Sequence, residues 1–546
     1  MKKEWRKKLA LVLAVAMGIS LLSGCGGGET QGGNTGSDIG TVQEATDAAE
    51  QTESEAPEKS EARDGSTVYV QVHQDSGTFN PWGSNQDPFM SIRLNFYETL
   101  FEYNASGEVV PLLVESYEWE DGTTLNLKLH DGIMTHDGNK IVASDVLFSF
   151  QKASESAEYG RHASNVDFEK SHVVDDLNLV LATKVEDAFF YNDMTRISIV
   201  SEKSFNDCKD EMVNLAIGSG PYKMTAYTPG YEWVLEKFED YWNTDQTETQ
   251  QQNVDKIVYR VITEEAQRTI ELETGGIDML TYTPSIDVEY LQGKDGIEVY
   301  QYPGNNTQTI YYNCSGESVM DNENLRHAIS CAVDSAGIAA AVHKNLYSPA
   351  DCIATPNTPQ YQAGTLKYSY DMEKAKEYME AAGYPDGGLD LTIMCDANTQ
   401  PSAEVIQASV LQLGINLEIL VYDAATYNTL ITDPAACDML ISGYACVGTV
   451  LFFFNNQLNE NKSLRTFWKN EEFQTLLAET VKTGDAEDTM KLLDMVNDAD
   501  VVRPIVFGNS YFAYRTEVIE GISPKNDNWV LPGDYTYHYD ADALYD

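Results

Sequence analysis

The stretch LDLTIMCDANTQPSAEVIQASVLQLGINLEILV, residues 389–421, decides the fold class. Its two apolar ends, Leu389 to Met394 and Ile415 to Val421, are predicted strands, and the segment from about Ser402 to Leu413 is a predicted helix. A strand, a helix and a second strand in this order form a βαβ unit, whose right-handed crossover makes the two strands parallel. The sequence therefore predicts an α/β fold.

Sequence patterns typical of strands and helices also occur in other parts of the chain. Valines 68, 70 and 72 and leucines 125, 127 and 129 alternate with other residues, as in half-buried strands. Three further helices are predicted from their terminal residues. One begins at Thr263 and ends at Gly275-Gly276, one is capped by Asp321, and one is capped by Asp371 and closed by Gly383 and Pro385.

The N-terminus predicts export. Five basic residues precede an apolar run from Leu9 to Leu22, which is too short for a stable membrane span and is typical of a secretory signal. Its end, Leu22-Ser23-Gly24-Cys25, matches a bacterial lipobox, in which the cysteine becomes the lipidated N-terminus. We therefore predict a lipoprotein signal peptide over residues 1–24 and lipidation of Cys25. The alternative is an ordinary signal peptide with a chance cysteine.

Residues 25–65 are mainly Gly, Thr, Ser, Gln and Glu. Such a segment cannot bury enough apolar area to offset its ordering entropy, and its acidic excess makes it extend. We therefore predict a disordered acidic tether between the lipid and a folded body.

The overall composition restricts the partners. The formal net charge is −50, from 86 acidic and 36 basic residues, which excludes nucleic acid as an expected partner. No later segment is apolar for long enough to span a bilayer, so membrane contact is expected through the lipid anchor only. Seven cysteines follow Cys25 without a C-x-x-C motif, so they are either small buried hydrophobic residues or include one disulfide that we cannot assign.

No constellation for catalysis is visible. The sequence lacks H-E-x-x-H, G-x-S-x-G, P-loop and G-x-G-x-x-G motifs, so we predict no catalytic residues, no cofactor and no metal site. His130 and His136 flank the turn Asp131-Gly132, which is more typical of a solvated loop than of a metal site. The 32 tyrosines and seven tryptophans suit the lining of an organic ligand site, although ordinary packing explains most of them.

Short motifs follow one another along most of the body. They are Gly77 to Pro81, Asn95 to Leu100, His136 to Gly138, Ala143 to Ser149, Gly218 to Tyr222, Pro229-Gly230 with Lys237 to Trp242, Glu271 to Leu280, Asn324 to Asp334, Asp371 to Gly387 and Arg515 to Gly521. In this order they resemble the bacterial extracellular solute-binding family that includes the oligopeptide- and dipeptide-binding proteins of ABC importers.

The resemblance implies a two-lobed periplasmic-binding-protein-like (Venus flytrap) fold with an extra third domain, whose lobes close on a ligand about a hinge. Mapped by motif, lobe I comprises residues 66–106, 215–305 and 500–546, the extra domain comprises 107–214, and lobe II comprises 306–499.

The resemblance further implies a monomeric substrate-binding lipoprotein on the outer face of the cytoplasmic membrane, in a Gram-positive type of envelope. It would deliver a small solute, of the peptide or oligosaccharide class, to an ABC transporter permease. Two alternatives remain. One is a sensor that presents its ligand to a membrane receptor, and the other is a secreted enzyme on this scaffold, which would need a nucleophile or metal constellation.

The chain departs from the family at one motif. Peptide-binding relatives carry G-W-x-x-D-x-x-D-P, in which the first Asp pairs with the ligand α-ammonium. Here Gly443 and Tyr444 keep the frame, but Val447 stands in place of that Asp. The resemblance therefore implies ligands that are uncharged at this end, unless another acidic group reaches the site.

The ligand-binding residues implied by the resemblance come from three places. They are Phe79, Asn80 and Trp82 in the first lobe, Asn306 and Tyr311 near the crossing between lobes, and Gly443, Tyr444, Ala445 and Cys446 in the second lobe. For Trp82 and Tyr311 the alternative is packing between the lobes.

Overall fold

The structure is a computed structural model that describes residues 67–85, 88–104, 108–243, 251–446, 448–522 and 532–537. The predicted signal peptide, the lipobox with Cys25, the acidic tether and Val447 lie outside the described residues. Among the described residues we find no helical stretch with the length and hydropathy that a membrane span requires.

The elements alternate between strands and helices along the chain. Up to residue 243 they are β1 (Thr67–Val72), α1 (Phe89–Ile92), β2 (Glu98–Thr99), β3 (Phe101–Tyr103), β4 (Val109–Pro111), β5 (Val114–Asp121), β6 (Thr124–Leu129), α2 (Ala143–Glu155), α3 (Gly160–Ala163), β7 (His172–Val173), β8 (Asn178–Ala182), α4 (Phe190–Met194), β9 (Ser198–Ile199), α5 (Glu202–Asp207), β10 (Tyr222–Thr228) and β11 (Glu232–Lys237).

The elements after residue 250 are β12 (Lys256–Val261), α6 (Glu265–Thr274), β13 (Met279–Leu280), α7 (Ser285–Gln292), β14 (Ile297–Tyr312), α8 (Glu323–Ala332), α9 (Ser335–Ala341), β15 (Ser348–Pro349), α10 (Met372–Ala381), β16 (Leu389–Cys395), α11 (Gln400–Leu411), β17 (Ile415–Val421), α12 (Ala424–Leu430), β18 (Met439–Ser442), α13 (Val450–Gln457), α14 (Glu471–Thr483), α15 (Ala486–Ala499), β19 (Val502–Arg515), β20 (Ile519–Gly521) and β21 (Thr536–Tyr537).

One mixed sheet of eleven strands runs through the described part of the chain. Its order is β10-β11-β12-β1-β13-β19-β14-β18-β16-β17, with β15 paired to β19 beside this path. At one end β1 pairs in parallel with β12 and β13, and at the other β16 pairs in parallel with β17 and β18. A separate antiparallel sheet, β5-β6-β8-β7, is formed by residues between 114 and 182.

The two parallel ends are joined by the long antiparallel pair of β14 and β19. Their register runs from Ile297 opposite Arg515 to Tyr311 opposite Val502. It shifts between Pro303 and Thr307 and again between Gln308 and Thr309, and such irregularities bend a strand pair locally. The pair therefore carries both ends of the sheet and has a bend near its middle.

Each end of the sheet has its own large apolar core. The first core includes Val70, Phe79 and Trp233, together with Phe512 and Tyr514 of β19. The second core includes the βαβ unit and, from the other part of β19, Val502, Ile505 and Val506. In β19 the change from one core to the other thus falls between Val506 and Phe512. The predicted lobe boundaries stay a prediction.

The predicted βαβ unit is confirmed, with β16 and β17 parallel over their full length and the helix over Gln400–Leu411. Asp371 caps α10 as predicted, since its carboxylate accepts from the backbone N–H groups of Glu373 and Lys374. The prediction that Asp321 caps helix α8 is wrong. Asn322 is the capping residue, with its side chain accepting from the Leu325 N–H, because a short 3₁₀ turn occupies the position of Asp321.

The seven cysteines from Cys208 onward are all free thiols, and five of them are buried. Burial raises the pKa of the Cys446 thiol to about 12. They pack as small apolar residues, and the alternative of a disulfide among them is not realised.

Three motifs that are far apart in sequence meet at the carboxylate of Glu98, which is fully buried. The Ser219 hydroxyl donates to it at 2.6 Å, the Tyr241 hydroxyl at 2.7 Å and the Trp242 indole N–H at 2.8 Å. Burial raises the pKa of Glu98 to about 7, although these three hydrogen bonds oppose the rise. A buried acid with three donors joins the segment before β10 and the chain after β11 to the first core.

His136 also has a structural role. His136 donates from Nε2 to the Gly220 carbonyl at 3.0 Å and accepts at Nδ1 from the Gly218 N–H at 3.3 Å. Burial lowers the pKa of His136 to about 4, so the ring is neutral at physiological pH. Both ring nitrogens have protein partners, which leaves neither of them for a metal ion.

A second buried polar cluster joins α8 to the start of β19. The Arg326 guanidinium donates to the carbonyls of Met320 at 2.8 Å and Ala499 at 2.7 Å. The Ser330 hydroxyl donates to the Asp500 carboxylate at 2.9 Å, and burial raises the pKa of Asp500 to about 7. The motif Asn324 to Asp334 thus fixes where β19 enters the second core.

Glu98→Gln should change how the stability depends on pH. The pKa of Glu98 is near 4.5 as a free side chain and about 7 in the fold. Because the unfolded chain releases this proton first, wild-type stability falls as the pH rises between these values. The stability difference between wild type and Glu98→Gln should therefore shift against the wild type by about 2–3 kcal/mol between about pH 5 and about pH 8. Denaturant unfolding of both proteins at each pH measures this stability difference. The titration of Asp500 contributes equally to both proteins and therefore cancels. A stability difference that does not change with pH would contradict a protonated Glu98.

Gly220→Ala should destabilise the first core. A Cβ at position 220 would lie 2.8 Å from the Asn95 carbonyl oxygen and 2.8 Å from Phe96 Cα, which are backbone atoms that cannot turn away. Overpacking of this kind costs about 1–3 kcal/mol. Gly316 is a matched control, because its Cβ would meet nothing within 4 Å and its φ is not left-handed. Thermal unfolding should show a lower midpoint for Gly220→Ala and an unchanged or slightly higher one for Gly316→Ala.

Candidate functional site

A cavity of about 720 Å³ lies between elements of the first core and elements of the second. Its walls contain five asparagines, three Tyr or Phe rings and side chains of both charges, and we call it the asparagine-rich cavity. The first wall comprises Tyr103, Arg161, His162, Ser164, Asn165, Glu186, Asp187, Phe189, Asn192, Asp193 and Arg196. The second wall comprises Phe452, Asn455, Asn456, Asn459, Lys462, Ala478 and Val481.

The two walls touch at a few points around the cavity. The Ala188 N–H donates to the Val481 carbonyl at 3.0 Å, and the rings of Phe189 and Phe452 meet edge to face with centroids 6.0 Å apart. At Gly448, which has a φ of +70°, a Cβ would lie 3.1 Å from the Asn192 amide nitrogen. Through Phe189 the first wall also packs against the second core.

Helix α13 and the residues just after it form most of the second wall. Phe452, Asn455 and Asn456 follow the spacing i, i+3 and i+4, which places them on one side of α13, and Asn459 lies two residues after the end of the helix. The opposite side, with Leu451, Phe453 and Phe454, is buried in the second core. The Asn459 amide donates to the Asn455 side-chain oxygen at 3.0 Å, which orients both groups. This pattern was the sequence signal that pointed to the cavity, and our sequence analysis missed it.

A hydrogen-bonded chain of three side chains orders the first wall. Arg161 Nε donates to His162 Nε2 at 3.1 Å, and His162 Nδ1 donates to the Asp193 carboxylate at 2.6 Å. Because Nε2 accepts from Arg161, the hydrogen that is donated to Asp193 is on Nδ1. Arg161, His162 and Asp193 therefore satisfy one another in this arrangement.

Besides the exposed Glu186, Asp187 is the acidic group of the first wall that lies outside this chain. Its carboxylate accepts the Phe189 N–H at 2.9 Å. Burial raises the pKa of Asp187 and the Asp193 charge adds to the rise, whereas the Phe189 hydrogen bond and the Lys462 charge oppose it. The site thus offers amides, rings and separate charges, which is the chemistry of recognition rather than of bond breaking.

The predicted residues of the first lobe pack inside the protein. Phe79 is fully buried among aromatic rings, including Tyr227 at a centroid distance of 4.9 Å. Trp82 is almost fully buried, and its indole N–H donates to the Ser198 carbonyl at 3.2 Å. The Asn80 amide donates to the Glu211 carbonyl at 2.8 Å. None of the three is among the residues that line the asparagine-rich cavity, and their role in ligand binding stays a prediction.

The other predicted residues meet near the bend of β14. Asn306 and Ala445 form an isolated antiparallel bridge, and the Thr307 N–H donates to the Tyr444 carbonyl at 3.2 Å. Asn306 and Gly443 are exposed there.

Three aromatic or thiol side chains of the same set are buried. The Tyr444 ring stacks on Phe453 at 3.9 Å, Cys446 has no exposed surface, and the Tyr311 hydroxyl donates to Gln457. None of these residues is among those that line the asparagine-rich cavity, and their ligand role also stays a prediction.

The described residues contain no group of three or more His, Cys, Asp or Glu side chains placed to hold a metal ion. His130 lies against the Trp242 ring at 5.1 Å, in the same cluster as Glu98.

The comparisons agree on one family. The profile of the bacterial extracellular solute-binding proteins, family 5 Middle, matches residues 108–461. The glutathione-binding protein GsiB of Pectobacterium atrosepticum is 24% identical over 354 residues, which are 64% of this chain and 67% of the relative.

Two solved structures have the same fold. HbpA2 from Haemophilus parasuis superposes with a TM-score of 0.78 at 19% identity, covering 86% of this chain and 99% of that one. DppA from Helicobacter pylori, in complex with the peptide STSA, superposes with a TM-score of 0.61 at 22% identity, covering 85% and 97%. The predicted α/β, two-lobed fold with an extra domain is confirmed. Because the family profile covers more than half of the chain, the protein belongs to family 5 of the bacterial extracellular solute-binding proteins and is a binding protein, not an enzyme.

Proposed function

We propose that the protein captures a solute of the peptide or oligosaccharide class in the asparagine-rich cavity and delivers it to the permease of an ABC importer. The observation that carries the proposal is the cavity itself, whose two walls come from elements of the two different cores. A ligand held there would contact lobe II on one side and, apart from Tyr103, the predicted extra domain on the other. Because residues of that domain pack in the first core together with lobe I, ligand binding would favour the arrangement in which the walls are close.

The size and lining of the cavity suit an organic ligand. Ligand sites in proteins usually enclose about 300–1,000 Å³ and combine apolar walls with a few placed polar groups. Asparagine amides can donate and accept, so they match peptide groups and sugar hydroxyls equally well. The names of GsiB and of the DppA complex add weight to the peptide class, and we extend that class to this chain as part of the proposal.

The pair β14 and β19 would provide the hinge. We propose that the lobes rotate about the irregular segment between Pro303 and Thr307, where the register with β19 shifts. The exposed residues Asn306 and Gly443 beside this segment remain available to a ligand. Hinge motions of this type are confined to a few residues while the packed cores move as rigid bodies.

We also propose that the mature protein is tethered by a lipid on Cys25 to the outer face of the cytoplasmic membrane. The lipobox and the acidic segment of residues 25–65 support this, since together they would keep the binding domain near the permease. A ligand-presenting sensor would have the same anchor. Loss of ligand uptake on deletion of the gene favours the importer, whereas intact uptake with a lost cellular response favours the sensor.

A bulky side chain in the cavity should abolish ligand capture. A thermal-shift screen of short peptides and oligosaccharides should yield a stabilising ligand, since a ligand at 100 times its Kd adds about 2.7 kcal/mol. Asn456→Trp should weaken that ligand about tenfold or more, because an indole would occupy the cavity. Asn461→Trp, at an exposed position that does not line the cavity, is the matched control.

Small-angle scattering completes this test. The ligand should lower the radius of gyration of the wild type and of Asn461→Trp, but not of Asn456→Trp. Equal affinity in all three proteins would place the site elsewhere.

Mass spectrometry of the mature protein should find diacylglycerol on Cys25. Cys25→Ser should lack the lipid and move from the membrane fraction to the medium, because a soluble tether has no other means of membrane attachment. An unmodified N-terminus downstream of Cys25 in wild-type protein would contradict the anchor.

A further inference from the structure

We infer that Asp187 binds a cationic group of the ligand and that Lys462, on the facing wall, binds an anionic group. The asparagine-rich cavity would then select short ligands that carry both charges. The inference rests on the proposed function, since it assumes that this cavity is where the solute is held.

The Asp187 carboxylate is half-buried and lacks a cationic partner. One of its oxygens accepts the Phe189 N–H, and no Lys, Arg or His nitrogen of the described residues lies within the 4.0 Å of an ion pair. A carboxylate that loses water without gaining a counter-charge is costly, and the cost grows when closure removes more water. An ammonium group from a ligand would supply the missing charge.

The other charged groups of the first wall do not compete for this role. Asp193 accepts from His162 at 2.6 Å, and His162 in turn accepts from Arg161 at 3.1 Å. Asp193 adds negative charge near Asp187 without neutralising it. The third acid of this wall, Glu186, is exposed and therefore stays hydrated. The first wall thus presents one carboxylate engaged by a histidine, one in contact with water and one, Asp187, that is partly buried without a cationic partner.

Lys462 provides the opposite charge on the second wall. Its backbone N–H donates to the Asn459 carbonyl at 3.1 Å, which fixes the residue just after α13. Among the described residues its ammonium has no acceptor within ion-pair distance, and it is exposed to the cavity. Lys462 and Asp187 influence each other electrostatically but do not touch. A ligand with an amine at one end and a carboxylate at the other fits between them.

The two charges also disfavour a neutral ligand. If the walls closed on an uncharged oligosaccharide, both side chains would lose water without gaining an ion pair, and that loss would lower the affinity. The acid that relatives place after the Gly443 segment is missing here, where Val447 lies outside the described residues. Asp187 would supply an acid from the first wall instead, so the ligand amine would be held by the opposite side of the cavity.

Titration calorimetry with a mixed tripeptide pool tests the inference. The pool is used with free ends, with acetylated N-termini and with amidated C-termini. Wild type should prefer the free pool over either blocked pool by about 10- to 100-fold, the range expected for a charged hydrogen bond. Asp187→Asn should lose the preference for the free amine and keep that for the free carboxylate, and Lys462→Met should do the reverse.

Asp131→Asn and Lys140→Met are the matched controls. They change the same residue types in an exposed, loosely associated pair with a separation of 3.9 Å, and should keep both preferences. Unchanged thermal midpoints show that the variants are folded. An unchanged preference in Asp187→Asn or Lys462→Met overturns the inference, as does wild-type binding that ignores the blocking groups or accepts only oligosaccharides. Those results would not contradict the proposed function of solute capture, because the Asn456→Trp experiment tests that function separately.

Discussion

The antiparallel pairing of β14 with β19 is the constraint on which the rest of the structure depends. Both strands are long enough to serve two cores, and their ladder continues from Ile297 opposite Arg515 to Tyr311 opposite Val502. A continuous backbone ladder resists shear but tolerates bending where its register shifts. One element therefore holds the two lobes in register, and under the proposed function it would also let them rotate around a ligand.

The motifs that identify the family mostly serve this scaffold. Glu98, Ser219 and Trp242 belong to three different motifs and form one buried cluster, and Arg326 connects α8 to the start of β19. A buried charged or polar group must find its partners, so substitution of any member leaves the others unsatisfied. The residues that line the cavity belong to none of these motifs. Families built in this way can keep a fold while their ligands change.

The sequence allowed prediction of those features that depend on near neighbours. The βαβ unit and the Asp371 cap follow from local periodicity and local hydrogen bonds, and both are confirmed. The predicted Asp321 cap is wrong by one residue, because Asp321 ends a short 3₁₀ turn and Asn322 caps the helix instead.

The cavity could not be predicted in the same way, since its walls come from positions as far apart as Tyr103 and Val481. Only the asparagines around Asn456 left a local pattern. The burial of Phe79 likewise depends on rings such as Trp233 that are distant in sequence.

The position of β19 has a consequence for the order of folding. This strand comes late in the sequence, yet it lies inside the sheet, between β13 and β14, and supplies residues to both cores. Neither half of the sheet can be completed until β19 arrives, so the topology has a high contact order and slow final assembly. A nascent chain would expose unpaired strand edges until β19 has been synthesised, and such edges favour aggregation. Because the sheet is completed late, the polypeptide stays unfolded for longer. A polypeptide of this topology can therefore pass through a narrow export channel before it acquires its native structure.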